Sequence, residues 1–239
     1  MGVIKTIFNK ECRAYFGSPI AYIYIITFII FMNWYFFRSF FLIGQATMRP
    51  FFDLAPWVLL FLVPAISMRS WAEEKRSGTL DFLFTFPIKD IELVIGKFAA
   101  SVVLLLITIC GTLPIVIVVC TLGSPDIGPI ITGYIGLFLL ATSFLSIGFF
   151  ISACTKNQII AFILSIVVCF FSYILSQSIM LYAVPEFMVP LFRALSLGAH
   201  YESISKGIID TKDVFFYFSI IGFFLYCNTQ MLESRKIKQ

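Results

Sequence analysis

Charged residues that could make specific polar interactions concentrate in one stretch, residues 68–97, which holds ten of the chain's 30 charged side chains. Residues 73–76 read Glu-Glu-Lys-Arg and favour a helix, which Gly78 can end, while Thr79 can cap a second short helix. Large apolar side chains follow over residues 80–86. Outside a membrane span such side chains must be buried against something, so the segment favours docking on a partner protein. A solvated loop is the alternative.

Patterns that would indicate catalysis are weak throughout the chain. Glu73 and Glu74 resemble part of the EExxxR motif of membrane-embedded prenyl-protein proteases, but Gly78 stands where that motif needs arginine. His200 is the single histidine, so HExxH is absent, and neither GxxxxGK[ST] nor a GxGxxG after a strand occurs. The six cysteines form no CxxC pair. We therefore expect a chain that is not an enzyme and has no catalytic, metal or cofactor site.

The elements that position the 68–97 segment are expected to be membrane helices. The chain is 60% hydrophobic and 13% charged, with a mean hydropathy of +0.98. Soluble domains are about 45–50% apolar and about 25% charged, so this composition indicates an integral membrane protein. No basic run with interleaved aromatic residues occurs, and we expect no nucleic-acid partner.

Long charge-free runs define the expected spans, because about 20 apolar residues are needed to cross the hydrocarbon core of a bilayer. The fold class predicted is all-α integral membrane with six transmembrane helices. They are expected at 19–40, 51–69, 98–122, 129–153, 159–183 and 214–232. Ionisable side chains are nearly absent from these runs, which argues against a proton-coupled transporter or a voltage sensor.

The segments between and before the spans follow from amphipathicity and charge. Residues 1–18 have apolar side chains at i, i+3 and i+4 spacing, which predicts an interfacial helix. Twelve of the 17 Lys and Arg residues fall on the side of the N-terminus, which predicts that both termini and the 70–97 loop are cytoplasmic. The 184–213 loop is expected to be external, with short helices before the last span.

The 69–87 segment resembles the cytoplasmic signature of the ABC-2 type transporter permeases. Asp81 stands where Glu is commoner in that signature. Residues 55–71, 200–210 and 232–236 are similar to the small permeases that are described as gliding-motility associated. The positions that carry the resemblance, or that it assigns to contact with an ATPase subunit, are Arg69, Glu73, Glu74, Lys75, Arg76, Gly78, Thr79, Leu80, Asp81 and Pro87.

This resemblance implies the non-catalytic membrane subunit of an ATP-driven transporter, most often an exporter, in the bacterial cytoplasmic (inner) membrane. It implies a single permease domain over 1–239 that pairs with a second copy or a paralogue. Separate ATP-binding subunits would bind ATP and Mg, and would contact a coupling helix in the 69–87 loop. Membrane lipid and an accessory subunit are further expected partners.

Three other classes fit the pattern of six spans with a docking loop. One is an ATP-independent channel or facilitator, the second is a membrane-embedded enzyme, and the third is a scaffold of a motility or secretion complex. A neighbouring gene for an ATPase would favour the permease over these. The spans, rich in Phe, are compatible with lipid, polysaccharide-lipid, peptide or small-molecule cargo.

Overall fold

The computed structural model describes residues 2–79, 89–177, 180 and 185–236, and within these ranges the chain is helical with no β-strand. The predicted all-α fold class is confirmed. A single 3₁₀ turn lies at Glu186–Met188. The α-helices, in chain order, are α1 (Gly2–Phe16), α2 (Pro19–Ile43), α3 (Arg49–Ser77), α4 (Asp90–Cys110), α5 (Leu113–Leu122), α6 (Ile127–Cys154), α7 (Gln158–Ile174), α8 (Val189–Leu195), α9 (Leu197–Ser205) and α10 (Thr211–Lys236).

Five stretches of the described chain are long and apolar enough to cross a membrane, and they make the chain a multi-pass membrane protein. These stretches are Pro19–Leu42, Arg49–Ser77, Asp90–Leu122, Ile127–Cys154 and Thr211–Ser234. The third comprises α4 and α5, which are separated by a short break at Gly111 and Thr112. Helix α7 is apolar but has 17 residues, and the rest of the predicted span 159–183 lies largely outside the described residues. A sixth span therefore stays a prediction.

Helix ends follow local sequence chemistry. Ser18 caps α2, with its side chain accepting from the backbone of Ile20, and Pro19 occupies the first turn, where a missing N–H costs nothing. Gly78 follows α3 with φ 73°, a left-handed conformation that glycine adopts without strain. The helix break expected at Gly78 is therefore present. The predicted coupling segment begins, over residues 70–77, as a direct extension of the second candidate span rather than as a separate helix.

Helix α6 forms the centre of the bundle and contacts α3, α4, α7, α9 and α10. Of its most apolar stretch, 78% is buried within the protein, against 28% for the corresponding stretch of α2 and 17% for that of α10. Gly148 allows α6 to approach α3, because an added Cβ would lie well inside van der Waals contact of the Ser67 side chain. The central helix is thus held by close packing, while α2 and α10 present most of their surface to the surroundings.

The two ends of the bundle are built differently. At one end of the bundle, α1 packs along α4, and we name this the α1 end. Here the Tyr15 hydroxyl lies 2.9 Å from Ser101 Oγ. Ser101 itself donates to a backbone carbonyl, so Tyr15 donates to Ser101. Burial raises the pKa of Tyr15 to about 12, and the hydroxyl stays protonated at neutral pH. At the opposite end, named the α9 end, the Tyr201 hydroxyl donates to the Phe52 carbonyl at 2.7 Å.

Candidate functional site

The predicted ATPase-contact residues lie at the C-terminal end of α3, where they divide between two faces. Glu73 and Arg76 are exposed, as are Gly78 and Thr79. Arg69 is half-buried and lies two turns before Arg76. Leu80, Asp81 and Pro87 fall outside the described residues. The exposed members form one surface, which we call the α3 tip (Glu73, Arg76, Gly78 and Thr79).

Glu74 and Lys75 point into the bundle instead. Glu74 Oε1 lies 2.5 Å from Lys97 Nζ, and both side chains are largely buried, with 17% and 5% of their surfaces exposed. Lys97 also lies 3.4 Å from Glu11 Oε1 and donates to the Ser70 carbonyl at 3.2 Å. Burying an ammonium group is unfavourable unless partners replace the water that it loses. These contacts join α1, α3 and α4 through one ammonium group.

The face of Trp71 completes the environment of Lys97. The ammonium lies 5.0 Å from the centroid of the indole ring, within the range of a cation–π interaction. Trp71 itself is fully buried. We name the group Glu11, Ser70, Trp71, Glu74 and Lys97 the Lys97 cluster. It lies where the apolar part of the bundle meets the charged α3 tip.

Lys75 makes a second connection, which links α3 to the C-terminus of α6. Its ammonium donates to the carbonyl of Ala153, and lies 3.4 Å from the Ser152 carbonyl and 3.3 Å from that of Thr155. The last carbonyls of a helix have no partner within the helix and carry the negative end of its dipole. Lys75 therefore satisfies the end of the central helix with a charge of the favourable sign.

The side chain of Ser152 ties the same two helices together one turn deeper. Its hydroxyl accepts from the backbone N–H groups of Trp71 and Ala72, at 3.2 and 3.1 Å, and donates to the Met68 carbonyl at 3.1 Å. The Ser152 side chain thus lies against the α3 backbone, at the point where the apolar part of α3 ends and its charged part begins. The α3 tip is thus connected to α6 through Ser152 and Lys75, and to α1 and α4 through Lys97.

Sequence reasoning did not identify Glu11 and Lys97 as site residues, although one signal was available. Glu11 belongs to the i, i+3, i+4 stripe of apolar residues on the N-terminal helix, where a charged side chain requires a buried partner. Lys97 stands alone before a run of 28 uncharged residues. The pairing of the two depends on the packing of α1 against α4, which no local pattern encodes.

His200, the single histidine, lies at the α9 end, where its contacts hold neighbouring helices together. Its Nδ1 lies 2.6 Å from Asp213 Oδ1, its Nε2 lies 3.1 Å from the Ala194 carbonyl, and its ring stacks on Phe216 at 4.0 Å. The imidazole thereby joins α8, α9 and α10. Across the described ranges, no three His, Cys, Asp or Glu residues are grouped so that they could hold a metal ion.

Comparison with known proteins places this arrangement in a family. The family described as ABC-2 family transporter protein matches residues 54–229, from the first turns of α3 to the last third of α10. No curated protein sequence matches the chain. Membrane subunits of this family associate with an ABC ATP-binding subunit and are generally non-catalytic. The chain belongs to the ABC-2 family of transporter proteins, as a multi-pass permease subunit of an ABC transporter.

Proposed function

We propose that this permease is an exporter that receives the work of ATP hydrolysis through the α3 tip and the adjoining 80–87 segment. The observation that supports this most is the division of charges on α3. Glu74 and Lys75 are engaged inside the subunit, whereas Glu73 and Arg76 are exposed next to them. A surface of exposed charges that is fixed to the rest of the subunit suits transmission of movement. A docked partner can contact the exposed side chains, while the buried ones hold α3 to the neighbouring helices.

The proposed motion starts at the α3 tip. Closure of the ATP-binding subunits on bound ATP and Mg would displace the tip, and no group of this chain takes part in the hydrolysis. Through the contacts of the Lys97 cluster, α1 and α4 would move with the tip. Through the hydrogen bonds of Ser152, α6 would move as well. Packed helices have discrete arrangements, so a small shift at the tip can be converted into movement of whole spans.

The orientation we propose places the α1 end in the cytoplasm and the α9 end outside, in a bacterial inner membrane. The distribution of Lys and Arg supports it, since such residues are retained on the cytoplasmic side. Large apolar side chains exposed on α2 and α10 are compatible with contact to a second copy or a paralogue as well as to lipid. A gliding-motility role belongs to the same proposal and rests on sequence resemblance.

Charge reversal at the tip tests the coupling. We expect the double substitution Glu73→Arg and Arg76→Glu to lower recovery of the ATP-binding subunit in co-purification by about tenfold, because complementary charges select and hold partners. The matched control is Glu202→Arg, an exposed charge at the α9 end, which should leave recovery unchanged. Equal recovery from the double variant and the control would contradict the proposal. Transport by the chain alone, without ATP, would indicate a channel or facilitator.

A further inference from the structure

A groove of about 590 Å³ opens at the α1 end between α1, α2, α3 and α4. Its polar part is lined by four members of the Lys97 cluster and by three further charged residues, namely Glu11, Ser70, Glu74 and Lys97 with Lys10, Arg69 and Glu73. Its other part is apolar and extends along the spans, with Ile23, Leu62 and Leu104 among its walls. Its size lies within the range of ligand-binding clefts. A cleft that is charged at the membrane surface and apolar at depth has the polarity of a lipid molecule.

Two buried polar atoms in this groove have no hydrogen-bond partner among the described residues. One is Glu74 Oε2, whereas Oε1 of the same carboxylate is the atom paired with Lys97, and the other is the hydroxyl of Tyr24. Tyr24 is 7% exposed and lies on α2, in the wall of the groove. Leaving such buried groups without a partner is unfavourable. A molecule bound in the groove could therefore donate a hydrogen bond to Glu74 and form another with the hydroxyl of Tyr24.

The charges of the groove specify the head group further. Lys97 is shared by two carboxylates, those of Glu74 and Glu11, so this part of the groove has an excess negative charge. Arg69 also lines the groove and has no carboxylate within ion-pair distance in the described part of the chain. Arg69 and Glu74 are five residues apart on α3, which corresponds to about 7.5 Å along the helix axis. Both side chains line the groove, so one zwitterionic group can lie between them.

We propose that this groove binds a phospholipid with a primary ammonium head group. Arg69 and Lys10 contact its phosphate, Glu74 accepts from its ammonium, and Tyr24 donates to an ester carbonyl. The acyl chains lie against the apolar wall between α2 and α4. This binding site goes beyond the proposed export function, and it does not depend on contact with the ATP-binding subunit.

Head-group preference is measured by native mass spectrometry of the detergent-purified transporter in an equimolar mixture of three phospholipids with identical acyl chains. Their head groups are ethanolamine, choline and glycerol. We expect about tenfold more retained ethanolamine lipid than choline lipid, because choline carries the same charge without an N–H donor. The glycerol lipid, which lacks a cation, should also be retained less. Equal retention of all three would overturn the proposal.

Three variants locate the site. Glu74→Gln keeps the shape but replaces the unpaired acceptor oxygen by a donor, so the preference for ethanolamine over choline should fall to about one. Tyr24→Phe should lower retention of all three lipids about threefold to tenfold, whereas Tyr22→Phe, two residues away and 51% exposed, should change nothing. Unchanged preference in Glu74→Gln, or equal behaviour of the two tyrosine variants, would contradict the site. Recovery of the ATP-binding subunit in the same preparations tests the coupling proposal separately.

Discussion

Replacing Lys97 by Met removes the ammonium that the carboxylates of Glu11 and Glu74 share. Methionine has a similar length and fills the space, so the main change is two carboxylates left near each other without a counter-charge. Breaking a buried ion pair from one side costs about 3–5 kcal/mol. Both carboxylate side chains retain 17% exposure, which allows some solvation, and we expect the lower limit, about 3 kcal/mol.

The assay is thermal unfolding of the purified chain in detergent. A loss of 1 kcal/mol lowers Tm by about 2–4 °C in a protein of this size, so Lys97→Met should lower Tm by about 6–12 °C. Protease should also cleave near α1 faster, because the ammonium of Lys97 contacts Glu11 on α1 as well as Glu74 on α3. The triple variant with Glu11→Gln and Glu74→Gln should recover most of the loss, since a neutral cluster needs no counter-charge.

The matched control applies the same substitution to an exposed ion pair. Lys206 pairs with Glu202 at 2.6 Å on α9, but these side chains are 52% and 62% exposed. Exposed pairs of this kind contribute about 0–1 kcal/mol, so Lys206→Met should change Tm by less than about 4 °C. If Lys97→Met and Lys206→Met unfold at the same temperature, the Lys97 cluster does not hold the α1 end together.

Three further perturbations test the packing around the site. Lys75→Met should lower stability by about 1–3 kcal/mol, because it removes the donor that the terminal carbonyls of α6 share; a Tm equal to wild type would refute this. Gly148→Val should unfold at lower temperature than Gly222→Val, since an added Cβ meets Ser67 at the first position and nothing within 4 Å at the second. Tyr201→Phe should cost about 1 kcal/mol by leaving the Phe52 carbonyl without its donor, and chemical denaturation that shows no shift would count against that hydrogen bond.

The membrane class, the all-helical fold and the helix end at Gly78 could be predicted because they depend on local properties. A charge-free run of sufficient length needs no tertiary contact to be recognised. A glycine that follows a helical segment can adopt a left-handed conformation wherever it lies. The continuation of the second span into residues 70–77 of α3 was harder to predict, because charged residues can extend a helix out of the membrane without a break.

The orientation of neighbouring charges on α3 could not be predicted. Glu73 and Glu74 are chemically identical and adjacent, yet one is exposed and the other is bound to Lys97. Their difference depends on the phase of α3 relative to a lysine 23 residues later and to Glu11, which is more distant still. Ser152 had no distinguishing signal at all, since its role arises from the approach of α6 to the α3 backbone.

Site-specific photo-crosslinking tests the coupling account most directly. A photoreactive amino acid at Glu73 should crosslink to the ATP-binding subunit in the assembled transporter, and the yield should change when ATP is bound. The same amino acid at Glu202, exposed at the α9 end, should give no such product. Crosslinking from Glu202 but not from Glu73 would show that the ATP-binding subunit docks elsewhere and would contradict the account.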